Sequence, residues 1–388
     1  MNVGIDQIGF YTPNYYLDLR DLAYARHEDP NKYLIGIGQE RQAVPPASQD
    51  AVTMAANAAT QVVTAENRNQ ISLIIFGTES GVDNSKSGAI YLQQLLGLKR
   101  EARAFEIKQA CYGATAGLQL AKDFVAAHPD RVALVVGSDV ARYGLNTPGE
   151  VTQGCGAIAM TVSAQPRTLA ISPNSSVYSD DIMDFWRPIN HTEALVDGHY
   201  SNDIYQQFFQ KTIQAYCAEQ RVSLTDFRAL TFHLPYSKLG LKALRTILPE
   251  VDESQQQQWL TEFEASRVYN RQVGNLYTGS LYLSLLSLLD HSQELTSGDQ
   301  IGLFSYGSGA QGEFFAGTLQ ADFQNYNRRD QIEAALENRQ RLDVYQYEEF
   351  FTKWPTFKTA NVTIDPALDD AEFVFTGVID NKRQYRRR

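Results

Sequence analysis

The chain of 388 residues contains little cysteine and no long apolar run, and both shortages narrow its class. Three cysteines over this length do not form a disulfide framework, and an odd number is typical of a reducing cytosol. No apolar stretch reaches the roughly 20 residues that a bilayer-spanning helix needs. The first residues also lack the basic and apolar regions of a signal peptide. The sequence therefore predicts a soluble cytoplasmic protein with no membrane partner.

Positive charge is scarce as well, because 34 lysines and arginines stand against 45 acidic residues, for a net charge of -11. Such a balance argues against general binding of nucleic acid. The chain has no Cys-x-x-Cys, no His-x-x-x-His and no dense carboxylate cluster, so no metal site is predicted. Neither a Gly-x-Gly-x-x-Gly pattern nor a P-loop follows a strand, so no nucleotide cofactor is predicted.

Short apolar runs alternate with helical periodicity, which is typical of an α/β protein. The first half contains predicted strands at 71–77, 132–138 and 157–162, and predicted helices at 87–96 and 114–127. The second half repeats the pattern, with strands at 228–233, 300–307 and 314–319 and helices at 239–248 and 277–289. This similarity predicts a duplicated architecture.

The predicted division has three parts. Residues 1–171 form the first half, and 222–388 form the second half with a helical extension and a polar tail with strand potential after about residue 322. Residues 172–221 are rich in Asp, Asn, Tyr and Phe and poor in apolar runs, which predicts an insertion or lid-like region between the halves.

Cys111 is the most informative residue. It stands in Ala110-Cys-Tyr-Gly-Ala-Thr, where a β-prone segment ends at a small-residue turn and a helix with an apolar face begins. The unpaired N–H groups and the positive end of that helix favour the thiolate, which is the nucleophilic form. Most lone cysteines are small buried hydrophobes, and Cys155 and Cys217, which lack such a setting, are assigned to structure. The placement of Cys111 indicates covalent acyl chemistry.

Two further residues follow predicted strands. Glu79 comes after strand 71–77, at the crevice where α/β proteins bind ligands, and is a candidate acid or base. Its alternative is a solvated loop carboxylate. His233 ends the opening strand of the second half, and Pro235 restricts the turn that follows. A strand-end histidine can also serve only to satisfy backbone groups.

Polar residues at helix starts and glycine turns complete the set. Asn275 precedes a strongly apolar helix, where it is either a ligand contact or an N-cap. Ser308 lies in a glycine turn whose N–H groups are suited to an oxyanion. Lys238 and Lys242 share one face of a helix start, a setting that suits phosphates but is also common on solvated surfaces.

Glu79, Cys111, His233, Asn275 and the turn at Ser308, in that order on two similar halves, resemble the thiolase superfamily and within it the 3-hydroxy-3-methylglutaryl-CoA synthases. The resemblance covers nearly the whole chain. It implies a five-layered, duplicated αβαβα fold, a homodimer, and condensation of acetyl-CoA with acetoacetyl-CoA to 3-hydroxy-3-methylglutaryl-CoA in the mevalonate pathway.

The same resemblance implies the roles of individual residues. Cys111 becomes the acylated nucleophile, Glu79 the general acid and base, and His233 the group that binds the acetoacetyl unit. Because a carboxylate in a desolvated pocket is more basic, the environment of Glu79 should raise its pKa. The implied ligand-contacting and acyl-pocket residues are Asp29, Tyr143, Thr152, Asp184, Ser201, Lys238, Lys242, Asn275 and Ser308.

Two other assignments stay open. A ketoacyl-acyl-carrier-protein synthase III also uses Cys, His and Asn, but its decarboxylative chemistry would leave Glu79 without a role. A non-catalytic acyl-CoA-binding protein on the same scaffold would be expected to lack Glu79, Cys111 or His233, and all three are present. A true thiolase needs a second cysteine where this chain has Ser308.

Overall fold

A computed structural model describes residues 2–354 and 359–388. Its strands are β1 (Val3–Tyr11), β2 (Tyr15–Asp18), β3 (Arg41–Ala43), β4 (Ile71–Gly77), β5 (Arg103–Ile107), β6 (Val132–Ala141), β7 (Gly154–Ala164), β8 (Leu169–Ser179), β9 (Phe185–Trp186), β10 (Leu195–Val196), β11 (Phe227–Phe232), β12 (Gln300–Gly307), β13 (Gln311–Leu319), β14 (Gln340–Leu342), β15 (Val362–Thr363), β16 (Phe373–Ile379) and β17 (Lys382–Arg387). Its helices are α1 (Leu19–Ala25), α2 (Ala51–Ala59), α3 (Gly88–Leu95), α4 (Gly113–Ala127), α5 (Gly198–Gln220), α6 (Ser237–Arg245), α7 (Glu253–Ser266), α8 (Val268–Val273), α9 (Ser280–His291), α10 (Arg329–Glu337) and α11 (Val344–Lys353). None of these helices is long and apolar enough to cross a membrane.

The central sheet shows the duplication directly. Nine strands lie in the order β11-β12-β13-β8-β1-β7-β6-β4-β5. From the middle outward, β1-β7-β6-β4 and β8-β13-β12-β11 follow the same order, each with two antiparallel pairs and then a parallel pair. The repeated order confirms the predicted duplicated α/β architecture.

Helices cover both faces of each half. Helices α2 and α3 pack on the first half and α5 on the second, while α4 packs on β4 and β6 and α9 on β11 and β12. Thr115 of α4 and Tyr282 of α9 share a hydrogen bond of 2.8 Å, which joins these two helices between the halves. Ten of the twelve residues of α9 are buried, as expected for a helix enclosed on all sides. The layers follow the predicted αβαβα arrangement.

The apolar runs that predicted strands all form strands of the central sheet. Every residue of β4 and of β6 is buried, because helices cover both faces of this part of the sheet. The predicted helices all form, with boundaries that differ by a few residues. The tail forms α10, α11 and the small sheet of β15, β16 and β17.

The expectation for residues 172–221 needs correction. The segment begins inside β8, a central strand, and ends with α5, a helix of 23 residues. Only 180–197 lacks a long element. Strand β8 was not predicted from the sequence because it is half-exposed and polar after Ile171 and so shows no long apolar run. The three-part domain division itself stays a prediction.

Candidate active site

The end of β4 and the start of α4 bring Glu79 and Cys111 together. A Cβ atom on Gly77 would lie 2.5 Å from the backbone nitrogen of Ala114, so only glycine allows the strand to approach the helix so closely. Two residues beyond Gly77, the carboxylate of Glu79 accepts a hydrogen bond from Cys111, with 3.0 Å between Sγ and Oε1. The two predicted catalytic groups are therefore in direct contact.

The surroundings of Glu79 make its carboxyl group basic. Burial, and next the negative charge of Asp139, raise the pKa of Glu79 from 4.5 to about 8, although the Cys111 hydrogen bond and the charge of Arg187 act in the opposite direction. The guanidinium of Arg187 donates to the backbone carbonyl of Glu79. The predicted rise in the pKa of Glu79 is confirmed.

The expected thiolate at Cys111 is wrong for the free protein. Burial and the neighbouring carboxylates, chiefly Glu79, raise the pKa of the Cys111 thiol well above its ordinary value. Helix α4 begins at Gly113 as expected, but its partial positive charge does not outweigh desolvation and like charge in this pocket. The resting cysteine is a thiol that donates to Glu79.

Asp139, at the end of β6, organises the loop that carries Glu79. Its Oδ1 accepts from the hydroxyl of Thr78 (2.9 Å) and from the N–H groups of Glu79 (2.7 Å) and Ser80 (3.0 Å). Its Oδ2 accepts from the hydroxyl and the N–H of Thr278, at 2.6 and 3.1 Å. One buried carboxyl group thus ties the Glu79 loop to the start of α9 in the second half.

Asn275 faces the same pocket. Its Oδ1 accepts from the N–H of Tyr277 at 2.8 Å and from the hydroxyl of Ser280 at 3.0 Å, so the side chain does cap the following turn. Its Nδ2 donates to the phenol oxygen of Tyr143 at 3.3 Å. The amide oxygen therefore caps the turn and the amide nitrogen contacts Tyr143, while the ligand contact of Asn275 stays a prediction.

Tyr143, Phe185 and Tyr277 form an aromatic triad beside the thiol. Their centroids are 5.9 to 6.1 Å apart, in edge-to-face contact. Cys111 packs against the same apolar cluster. The thiol therefore lies between a basic carboxylate and an aromatic wall.

His233 follows β11 and is held through its backbone. Its N–H donates to the carbonyl of Phe304 at 2.8 Å, and its carbonyl accepts from the phenol of Tyr205 at 2.6 Å. Burial lowers the pKa of the imidazole to about 3, so the ring is neutral at physiological pH. Its Nδ1 has no hydrogen-bond partner among the described residues, although it is buried.

The glycine turn after β12 completes this edge of the sheet. A Cβ atom on Gly307 would lie 2.8 Å from the backbone nitrogen of Tyr112, so the turn packs on the segment that carries the thiol. Phe304, on the same strand, holds the backbone of His233, so β12 links the histidine to the nucleophile turn.

Asp184 holds the turn at Ser308 from the other side. Its Oδ1 accepts from the N–H of Gly309 at 2.9 Å, and its Oδ2 accepts from the hydroxyls of Tyr306 (2.7 Å) and Ser201 (2.9 Å). Ser308 is in hydrogen-bond contact with the phenol of Tyr306. Asp184, Ser201 and Ser308 thus belong to one hydrogen-bond network. The negative charge of Asp184 also contributes to the raised pKa of Cys111.

The remaining predicted residues form hydrogen bonds with groups other than the thiol. Lys242 donates to the phenol of Tyr236 at 3.4 Å, and Lys238 donates to the carbonyl of Ile35 at 3.1 Å on the surface. Thr152 donates to the carbonyl of Gly149, against which Tyr143 packs. Asp29 is exposed, and within the described ranges its carboxylate accepts from the N–H of Asn31 in a local turn.

Asp139, Arg187, Phe185 and Tyr277 were missed by the sequence reasoning. Asp139 could have been found, since it directly follows the apolar run 132–138, just as Glu79 closely follows the apolar run 71–77. Arg187 and Phe185 lie in the segment interpreted as an insertion, where no periodic pattern marks them.

Comparison with known proteins gives consistent results along the chain. Residues 1–166 match the family model for the N-terminal part of hydroxymethylglutaryl-coenzyme A synthase, and residues 245–361 match that for its C-terminal part. A hydroxymethylglutaryl-CoA synthase from Enterococcus faecalis is 48% identical over 387 residues, covering 100% of both chains.

Solved structures agree with the sequence relatives. A crystal structure of an HMG-CoA synthase complexed with CoA superposes with a TM-score of 0.97 at 43% identity, covering 100% of both chains. A structure of MvaS in complex with 3-hydroxy-3-methylglutaryl coenzyme A has a TM-score of 0.87 at 36% identity, covering 100% of this chain and 99% of the other.

Proposed function

We propose that Cys111, Glu79 and His233 perform the three chemical steps of the reaction that this chain catalyses. The chain belongs to the hydroxymethylglutaryl-CoA synthase family, and its reaction is the condensation that forms 3-hydroxy-3-methylglutaryl-CoA in the mevalonate pathway. Acetyl-CoA is the donor in this proposal and acetoacetyl-CoA the acceptor. The observation that supports it best is the 3.0 Å contact between the Cys111 thiol and the Glu79 carboxylate.

The first step acetylates the cysteine. Glu79 takes the proton that the thiol already donates to it, the Cys111 sulfur attacks the thioester carbonyl, and CoA leaves with the proton from Glu79. We assign the developing oxyanion to N–H groups at Cys111 and Ser308, because Gly307 packs on the nucleophile segment. In comparable sites one such donor is worth about 3–4 kcal/mol.

The second step forms the carbon–carbon bond. The Glu79 carboxylate removes a methyl proton from acetyl-S-Cys111, and the resulting carbanion attacks the ketone carbon of the acceptor. His233 donates a hydrogen bond to the ketone oxygen as that oxygen gains charge, and the proton that Glu79 took from the methyl group then completes the new hydroxyl group. Because the imidazole is neutral, it acts by polarising the ketone and needs no prior protonation.

The third step releases the product. Glu79, ionised again, takes a proton from the water that attacks the thioester joining the product to Cys111, and passes this proton to the departing sulfur. The carboxylic acid that forms loses its own proton to solvent. The net exchange leaves a free carboxylate on 3-hydroxy-3-methylglutaryl-CoA and restores the resting thiol. Glu79 therefore acts as a base toward carbon and as an acid toward sulfur, which suits a group with a pKa near neutrality.

The other polar residues are assigned to substrate binding. Tyr143, Asn275, Asp184, Ser201 and Ser308 shape the acyl and acetoacetyl region through the networks described above. We assign Lys238 and Lys242 to the CoA phosphates, with Thr152 and Asp29 as outer contacts. The two lysines lie one turn apart on α6, whose first residue is Ser237.

We further propose a homodimer that works in the cytoplasm. Strand β5 is one of the two outer strands of the nine-stranded sheet, and its outer edge faces no other strand in the described part of the chain. Such an edge invites pairing with a second copy. Light scattering should give twice the mass of one chain, and a mass of one chain would contradict the dimer. Free cysteines at all three positions agree with a reducing compartment.

Mass spectrometry tests the covalent step. Acetyl-CoA alone should add one acetyl group to the peptide that contains Cys111, while the peptides with Cys155 and Cys217 stay unmodified and serve as internal controls. Glu79→Gln should still form this adduct, more slowly, but should not condense it with acetoacetyl-CoA. An active enzyme with an unmodified Cys111 peptide would refute the nucleophile.

A parallel assay separates the alternative chemistry. The acetylated protein is offered either acetoacetyl-CoA or a malonyl-carrier protein, and the products are identified by mass. We expect product only with acetoacetyl-CoA. Condensation with the malonyl donor, independent of Glu79, would instead favour a decarboxylative enzyme.

A further inference from the structure

The aromatic triad packs beside the sulfur of Cys111. Phe185 and Tyr277 belong to a small buried cluster with Ala141 and Ala194, and Cys111 packs against it. The cluster is separate from the large core, which draws residues from both halves of the chain. The sulfur that carries the acyl group in the proposed mechanism thus lies against an apolar cluster that contains two aromatic rings.

Hydrogen bonds hold two of the three rings. The phenol of Tyr277 accepts from the N–H of Arg142 at 3.3 Å. The phenol of Tyr143 accepts from Asn275, and its backbone N–H donates to the side chain of Gln153 at 2.8 Å. Rings fixed in this way cannot turn aside to admit a larger acyl group without breaking buried contacts.

Phe185 is the third ring and is anchored through its backbone neighbours. Asp184, directly before it, bonds Tyr306, Ser201 and Gly309. The carbonyl of Asp184 also accepts from the N–H of Asp197, and Phe185 pairs with Val196 in the small sheet of β9 and β10. Phe185 has no polar partner of its own, so it can be shortened without leaving an unpaired buried polar group.

We infer that Phe185 limits the donor acyl group to two carbons. Its ring packs with those of Tyr143 and Tyr277, and of the three it is the one that can be shortened without breaking a hydrogen bond. The inference rests on the proposed role of Cys111 as the acylated residue. An acetyl group places only a methyl beyond the carbonyl, and this methyl must face Glu79 to lose a proton. A longer chain places its next carbon against the rings.

The test measures acylation of Cys111 by acetyl-, propionyl- and butyryl-CoA, followed by intact-protein mass over time. In the wild-type protein the propionyl rate should fall at least tenfold below the acetyl rate, because one methylene in a close-fitting apolar site changes rates by about 10–200-fold. Phe185→Ala should raise the ratio of propionyl to acetyl rates at least about tenfold, and Phe185→Leu by less.

Phe124→Leu is the matched control. Phe124 is a half-buried ring on α4, remote from the triad, and its replacement should leave the ratio unchanged. Thermal melting shows which variants fold, and Phe185→Leu decides the question if Phe185→Ala does not fold. An unchanged ratio in a folded Phe185 variant, or a wild-type protein that accepts butyryl as fast as acetyl, overturns the inference. Absence of any acetyl adduct in the wild type would instead overturn the nucleophile on which it rests.

Discussion

The raised pKa of Glu79 makes a quantitative prediction for the pH dependence of condensation. The step needs the carboxylate, and a group with a pKa of about 8 is ionised to only about 9% at pH 7 and to about 91% at pH 9. The rate of the carbon–carbon step should therefore rise about tenfold between pH 7 and pH 9. A carboxyl group with an ordinary pKa would give a flat profile over that range.

Acetylation of Cys111 should shift this rise in the condensation rate to still higher pH. The Cys111 thiol donates a hydrogen bond that lowers the pKa of Glu79, and the acetylated sulfur cannot donate. In the acetyl-enzyme the pKa of Glu79 should thus be at or above its value in the free protein. The pH dependence of the condensation rate therefore reports the pKa of Glu79 in the acetyl-enzyme.

A single-turnover assay reads this step alone. Preformed acetyl-enzyme is mixed with acetoacetyl-CoA at a series of pH values from 6 to 9.5, quenched, and the product is quantified by mass. Glu106→Gln is a matched control, because Glu106 is a half-buried carboxyl group with a raised pKa that contacts the N–H of Gly88 and not the thiol. A flat wild-type profile with intact acetyl-enzyme, or a limb lost in the control, would refute the assignment of Glu79 as base.

Three further outcomes follow from the same contacts. Glu79→Gln should stabilise the protein more at pH 9 than at pH 5, by up to the order of 5 kcal/mol. The reason is that between about pH 4.5 and pH 8 the Glu79 carboxyl group holds a proton in the folded state and releases it in the unfolded state. Equal gains in melting temperature at both pH values would contradict this. Asp139→Asn should move the rise of the condensation rate to lower pH by about 1–3 units, because it removes a negative charge beside Glu79. Asp290→Asn, at another buried aspartate, should leave the pH profile in place. An unmoved profile in Asp139→Asn would argue that Asp139 does not affect the pKa of Glu79. His233→Ala should slow condensation by about 10²–10³-fold while acetylation persists, as judged by single-turnover rates, and an unchanged rate would remove the ketone role.

Local patterns in the sequence determined the elements and the chemical residues. The apolar runs at β4 and β6 are buried on both faces, so their strands are visible without any tertiary information. Residues at strand ends and helix starts, such as Glu79 and Cys111, are marked by the glycine turns beside them. By contrast, β8 carries no apolar run along most of its length, so its central place in the sheet depends on pairing with β1 and β13.

What only the tertiary structure decided is the state of the site. Glu79 and Cys111 are 32 residues apart, and their contact depends on how closely β4 approaches α4. Sequence placed the thiol at a helix start and so predicted a thiolate, but the pKa depends on burial and on carboxylates from other segments, including Asp139 and Asp184. Desolvation and like charge act through space and not along the chain, so they become readable only once the two halves have folded against each other.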